Sequence, residues 1–177
     1  QPRTLCLGLQ AMSQRIPVSF EFFPPNTPVG DDKLIQQVVP ELAALQPHYF
    51  SVTYGAGGST RDKTLKTVQA IAAAGHEAAP HLSCVGSTRE GIAATLATYR
   101  AQKIHRIVAL RGDLPSGTAV AGEFRHAAEL VRFILLAHPG APVMHEKGLR
   151  LSGAWITGVL DLEGCRVPRD IGLLDCR

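Results

Sequence analysis

Pro17-Val-Ser-Phe-Glu-Phe-Phe-Pro-Pro25 reads as a β-strand with one carboxylate, Glu21, near its end. Three further strand-like runs start near Tyr49, Ala79 and Arg106, about 30 residues apart. Each is followed by a segment of helical pattern. That is the rhythm of βα units with parallel strands, so the expected fold class is α/β.

The intervening segments carry helix signals. Asp31 or Asp32 can cap a helix with Leu34, Ile35, Val38, Val39 and Leu42 on one face, and Pro40 inside it predicts a kink or break. Thr60 or Asp62 can cap the next, with Leu65, Val68, Ile71 and Ala72 inward and Gly75 as the stop. Ser87-Thr-Arg-Glu90 fits a capping box ahead of Ile92, Leu96 and Tyr99. A fourth helix is expected from Glu123 to Ala137.

Beyond Leu135 the rhythm fades. His138-Pro-Gly-Ala-Pro142 is a breaker cluster, Trp155 to Leu160 could be a strand, and Gly164 to Arg177 has no clear period. The expected organisation is an N-terminal extension over 1–15, four βα units over 16–134 and a divergent tail over 135–177.

The chain has 177 residues, 45% hydrophobic and 19% charged, which suits one domain with a sizeable core. Its net charge of +3 is small and scattered, which argues against nucleic acid as a partner. No apolar run is long enough to span a membrane. Cys6, Cys84, Cys165 and Cys176 form no CxxC pair and no His/Cys ligand spacing, so no metal site is expected. Free thiols in a reducing compartment, the cytoplasm, are the simpler reading. The first residue is Gln, not Met, so the expectation is a processed chain or a fragment of a longer reading.

Ligands of parallel α/β folds sit at the carboxyl ends of the strands. Here those ends carry Glu21, then Thr53-Tyr-Gly-Ala-Gly-Gly58, then His81 with Ser83, then Arg111-Gly-Asp113. Glu21 stands among Phe20, Phe22 and Phe23, and apolar surroundings would raise its carboxyl pKa toward neutrality. An acid tuned that way can exchange protons with a substrate. The glycine loop could cradle a phosphate, or turn tightly to admit a flat ring, and it matches neither nucleotide fingerprint. His81 is either a satisfied core residue or, sharing a direction with Ser83, part of a polar mouth. Arg111 and Asp113 are either a local ion pair or splayed by Gly112 toward a ligand.

Four strings, Ser19-Phe-Glu-Phe-Phe-Pro-Pro25, Phe50-Ser-Val-Thr-Tyr-Gly-Ala-Gly-Gly-Ser-Thr-Arg-Asp-Lys-Thr64, Pro80-His-Leu-Ser-Cys84 and Ala109-Leu-Arg-Gly-Asp-Leu-Pro115, together resemble the methylenetetrahydrofolate reductase family. Gly122-Glu-Phe-Arg-His-Ala-Ala-Glu-Leu-Val131 continues the likeness more weakly. The resemblance implies a TIM (β/α)8 barrel, of which this chain supplies about four βα units over residues 16–134. It implies FAD as bound cofactor and NADH or NADPH as electron donor. It implies reduction of 5,10-methylenetetrahydrofolate to 5-methyltetrahydrofolate, a step of one-carbon metabolism that feeds methionine biosynthesis. Glu21 matches the acid–base carboxylate, and Asp113 a residue at both flavin and folate. Thr53, Tyr54, Ala56, His81, Arg111, Gly112, His126 and Ala127 match cofactor-contacting positions, although the family often has Tyr where His126 stands. The family's later strands, with further FAD and folate contacts, have no match in residues 135–177. A shifted reading frame or an alternative end near Phe133 to Ala137 would account for that. The alternative reading is a catalytically incompetent fragment or a non-catalytic member, and two chains completing each other is a further expectation.

Overall fold

Side-chain alternation along four short strands gives this protein two unlike faces. The computed structural model describes residues 17–55, 60–113, 122–136, 149–152, 160–167 and 170–174. Strands β1 (Ser19–Phe22), β2 (Tyr49–Val52), β3 (Ala78–Ser83) and β4 (Val108–Leu110) form one sheet in the order β1-β2-β3-β4. Every neighbouring pair is parallel, in the register Glu21 to Ser51 to Ala79, and His81 to Val108. Parallel pairing requires crossovers, and helices supply them. These are α1 (Pro28–Lys33) and α2 (Val39–Ala43) with a π-helical turn between them, α3 (Arg61–Ala73) and α4 (Arg89–Ala101). Helix α5 (Ala127–Leu135) follows β4. The α/β class and the four βα units are as expected.

One face packs on the helices. Phe50 and Val52 bury against Leu34, Val39, Val68 and Ile71, with Phe20 and Phe22 alongside. The Phe22 and Phe50 rings stack at 5.5 Å. Leu82 and Cys84 bury against Ile92, Leu96, Tyr99, Phe124, Leu130 and Phe133. The register turns Ser19, Glu21, Ser51, His81 and Ser83 to the other face.

The helix boundaries correct several expectations. Thr27, not Asp31 or Asp32, caps α1, its hydroxyl accepting from Gly30 N–H at 3.1 Å. Asp31 instead pairs with Lys66 at 2.6 Å. The break expected at Pro40 is a widened turn over Leu34–Val38, where Val39 N–H bonds to Leu34 O, five residues back. Pro40 has no N–H to continue an i→i−4 ladder, and the wider turn absorbs the interruption. In α3 the buried residues are Thr64, Thr67, Val68 and Ile71, while Ala72 is exposed. Gly75, at φ +90°, ends that segment as expected.

The capping box expected at Ser87 and Glu90 is replaced by a longer-range arrangement. Thr88 is the cap, its hydroxyl accepting from Gly91 N–H at 3.1 Å. The Glu123 carboxylate accepts from Arg89 N–H at 2.7 Å. Thr88→Ala is expected to cost about 1 kcal/mol, because one N–H of the first turn loses its acceptor. Urea unfolding reads this as a lower midpoint at unchanged slope. Helix α5 starts at Ala127 rather than Glu123, with His126 at its cap and the Glu129 carboxylate accepting from His126 N–H at 3.1 Å.

The tail holds more order than its sequence suggests. Strands β5 (Leu149–Ser152) and β6 (Ile171–Leu174) pair in parallel as a separate two-stranded sheet. β6 falls in the stretch read as without period. Leu149 packs on the α4–α5 cluster, and Arg132 of α5 donates to Asp161 O at 2.8 Å and reaches Cys165 Sγ at 3.3 Å. The strand expected over Trp155 to Leu160 lies outside the described residues, save Leu160, which belongs to no strand. No helix among the described residues is long and apolar enough to cross a membrane.

Candidate functional site

The polar residues gather where four parallel strands end. Glu21 and Ser51 are level with Ala79, so His81 stands two residues further along β3 on the same face. The longer Glu side chain bridges the step. His81 Nε2 lies 3.0 Å from Glu21 Oε2, but off the axis of an aligned N–H bond, so this buried nitrogen has no aligned acceptor. The two ends of the contact differ sharply, the His81 side chain being 8% exposed and that of Glu21 55%.

This geometry corrects the expected setting of Glu21. The three phenylalanines do not enclose its carboxylate. Phe20 and Phe22 alternate to the helix-covered face and stack on Phe50, while Phe23, past the strand, is 82% exposed. The buried member of the pair is the imidazole. Burial pushes His81 below its ordinary value, against the upward pull of the Glu21 carboxylate. A neutral ring facing a carboxylate through Nε2 carries its proton there.

A consequence for stability follows. His81 binds its proton less readily folded than unfolded, so acid favours unfolding. Its contribution is fully present above the unfolded value near 6.5 and is lost as pH falls below that toward the folded value. Urea midpoints should therefore fall between pH 7 and pH 5. His81→Gln should flatten that slope, and an unchanged slope would contradict the assignment.

The end of β4 builds the other side. Gly112, at φ +77°, turns the chain directly over Ser83, where an added Cβ would stand 1.7 Å from Oγ and 2.8 Å from Cβ. Ser83 Oγ donates to Arg111 O at 3.1 Å. Arg111 Nε donates to Arg125 O at 3.1 Å, and Cys84 Sγ lies 3.7 Å from His126 O. Thus Arg111, Gly112, His126 and Ala127 gather at the ends of β3 and β4. Among the described residues no ion pair joins Arg111 to Asp113, and Asp113 is exposed. His126 is exposed too and serves as the cap of α5.

Thr53 continues β2, its N–H donating to Phe22 O at 2.9 Å and its carbonyl accepting from Thr64 at 2.7 Å. Tyr54 is half-buried, and burial raises its hydroxyl pKa against the influence of Arg61. Gly55 N–H donates to Thr60 Oγ1 at 2.7 Å, which ties the start of the glycine loop to the start of α3. Ala56 lies outside the described residues.

Two features escaped the sequence reading. Ser51 lies level with Glu21, and period-two alternation counted from Thr53 would have found it. A shallow cleft beside the end of β1 is lined by Pro25, Asn26, Asp31, Lys63 and Lys66, with Lys63 Nζ donating to Asn26 Oδ1 at 3.0 Å. No sequence motif marks it. Among the described residues no group of His, Cys, Asp and Glu could hold a metal ion, and Cys84 and Cys165 are free thiols.

Comparison with known proteins matches the same stretch of the chain to a family. The sequence profile of the family described as Methylenetetrahydrofolate reductase matches residues 8–139. A 5,10-methylenetetrahydrofolate reductase of Salmonella typhimurium is 40% identical over 132 residues, covering 74% of this chain and 44% of that protein. That of Escherichia coli is 41% identical over 112 residues, covering 63% and 38%. A rice protein named "Probable methylenetetrahydrofolate reductase (NADH)" is 37% identical over 129 residues, covering 70% and 22%. The chain spans less than half the length of the curated relatives it matches. By its ordered strand ends, its four parallel βα units and this match, the chain belongs to the methylenetetrahydrofolate reductase family.

Proposed function

We propose that these strand ends serve the reduction of 5,10-methylenetetrahydrofolate to 5-methyltetrahydrofolate, with FAD as bound carrier and NADH or NADPH as donor. The observation that carries the reading is the Glu21–His81 pair at 3.0 Å on the polar face of the sheet. Family membership supplies the substrate class. The rice relative's name favours NADH of the two donors. The reaction would belong to one-carbon metabolism, supplying methyl groups for methionine, in the cytoplasm.

The residues present suit a flavin. His81 Nε2 is a buried donor without an aligned acceptor, the kind of atom a ring carbonyl or ring nitrogen satisfies. Thr53, Tyr54, Ala56, His81, Arg111, Gly112, Asp113, His126 and Ala127 are the positions proposed to hold it. When bound, FAD supplies hydride transfer between nicotinamide and folate. The protein's own part is protonic and positional. Glu21 holds a proton for the folate nitrogen that leaves as the five-membered ring opens. The neutral His81 stands beside that carboxyl group, its Nε2 3.0 Å from one oxygen. Asp113, exposed at the end of β4, is proposed to meet both ring systems.

A second reading rests on two observations: among the described residues the main sheet has four strands, and the chain covers 44% of the Salmonella relative. On that reading the chain is a non-catalytic fragment of the family. Anaerobic addition of FAD to the purified chain, followed by NADH and then methylenetetrahydrofolate, separates the two. Retained flavin absorbance that bleaches with NADH and returns with the folate supports the reductase. A chain that retains no flavin supports the fragment.

A further inference from the structure

We propose that Thr60 and Thr64 are positioning residues of the strand-end site, two hydroxyls in series that hold the chain on both sides of Tyr54. The inference rests on the reading above that Thr53 and Tyr54 belong to the cofactor site.

The first argument is what these two hydroxyls forgo. The described helices contain Thr64 and Thr67 in α3, and Thr95 and Thr98 in α4. A helical threonine commonly donates to the carbonyl four residues back. Thr67, Thr95 and Thr98 do so, to Lys63, Gly91 and Ala94, at 2.9, 2.8 and 3.0 Å. Thr64, fully buried, instead donates to Thr53 O at 2.7 Å, outside its own helix. Thr60 makes a similar exchange one turn earlier. Thr27 and Thr88 stand just before α1 and α4 and cap them, each accepting from the N–H three residues on. Thr60 holds the same place before α3, makes no such bond, and accepts from Gly55 N–H at 2.7 Å. Both residues thus leave the local bond that their counterparts make and turn to the segment after β2.

The second argument is the direction of the series. The Thr60 and Thr64 hydroxyl oxygens lie 3.3 Å apart. The Thr64 proton is engaged with Thr53 O, so Thr60 is the donor between them. The bonds therefore run from Gly55 N–H to Thr60, from Thr60 to Thr64, and from Thr64 to Thr53 O. Each hydroxyl accepts once and donates once, and bonds in such a chain polarise one another. The base is anchored too, because Arg61, in the same turn of α3, donates to Thr95 Oγ1 of α4. Thr53 N–H is already held by Phe22 O at 2.9 Å. Both backbone groups of Thr53 are thus fixed, one from β1 and one from α3. Alternation from Ser51 sets the Thr53 side chain on the face that carries Glu21. The series fixes the angle at which Thr53 meets a ligand there.

The test joins FAD titration of the full chain, read by flavin fluorescence, to amide hydrogen exchange without flavin. Thr64→Val keeps the side chain's shape and leaves the Thr53 carbonyl without its donor. It should raise the FAD dissociation constant about tenfold or more, while Thr64→Ser, which keeps the hydroxyl, should stay within about twofold of the parent. Thr67→Val removes a buried hydroxyl that bonds within α3, and should leave the constant near that of the parent. The Gly55 amide should be protected in the flavin-free chain, and Thr60→Val should speed its exchange about tenfold or more. Equal effects of Thr64→Val and Thr67→Val would make Thr64 a structural residue only and overturn the proposal. Unchanged exchange at Gly55 in Thr60→Val would overturn it too. If the valine variants fail to fold, the unaltered chain decides alone: a protected Gly55 amide supports the series and a freely exchanging one overturns it. An unaltered chain that retains no FAD overturns the cofactor reading, and exchange at Gly55 still decides whether the two hydroxyls hold the segment.

Discussion

If the strand ends carry the proposed reductase chemistry, Glu21→Gln is expected to stop folate reduction in the flavin-loaded protein while leaving electron uptake from NADH intact. The amide keeps the shape of the carboxyl group and its place beside His81, but has no acidic proton to give. Loss of a positioned acid or base typically costs about a hundred- to ten-thousandfold in rate. Electron uptake from the nicotinamide needs no proton from Glu21, so its rate should stay within about twofold. Single-turnover absorbance, with NADH and folate mixed in turn, reads the steps separately. Equal loss of both would mean that Glu21 builds the site and does not act on the folate. Glu21→Asp sharpens the comparison, because it keeps the acid but withdraws it from His81 Nε2, which lies 3.0 Å from the present oxygen. An intermediate rate for Asp would assign part of the effect to position.

Gly112→Ala is expected to be the most destabilising single change on the face of the site. At φ +77° any side chain meets the left-handed penalty of about 1–2 kcal/mol. The new Cβ would also stand 1.7 Å from Ser83 Oγ and 2.8 Å from Ser83 Cβ. The hydroxyl could rotate away only by giving up Arg111 O, and the Cβ cannot move without its strand. Overpacking of this kind costs about 1–3 kcal/mol more. That is a large share of the roughly 5–15 kcal/mol that holds an ordinary domain together. The expected result is a urea midpoint well below that of the parent at unchanged slope. Adding Ser83→Ala should recover only part of the loss, because it clears Oγ and leaves Cβ. Full recovery would place the whole cost in the hydroxyl, and no loss at all would contradict the described turn.

The strands were legible because four apolar runs at even spacing leave few alternatives to parallel βα units. Helix starts were less so. Asp31 and Thr27 are both competent caps, and tertiary partners decided between them: Lys66 claims Asp31, and Thr27 takes the orphan N–H of Gly30. Glu123 reaches Arg89 across 34 residues, a distance no local motif encodes. At the site the residue types were readable and their setting was not. Phe20, Glu21 and Phe22 are neighbours in sequence, yet pleating sends the rings and the carboxylate to opposite faces. His81 meets Glu21 only because the register leaves it two residues beyond the level of the carboxylate. The tail strands were missed because they stand outside the even βα spacing that marked the four main strands.

The π-helical turn over Leu34–Val38 acts as a one-residue phase shift. It brings Leu34 and Val39, five positions apart, into the same buried cluster. A regular α-helix would set residues five apart at widely different angles around its axis. Deleting Gln36 or Gln37 would not merely shorten a surface helix. It would make Val39 the fourth residue after Leu34, restore ordinary spacing there, and carry Pro40 and everything after it backward by one position. The strand that follows would then be pulled against its register with β1, where a slip of one residue exchanges the two faces of a strand. A single dispensable-looking glutamine thus sets the timing by which β2 presents Phe50 to the helices and Ser51 to the face that carries Glu21.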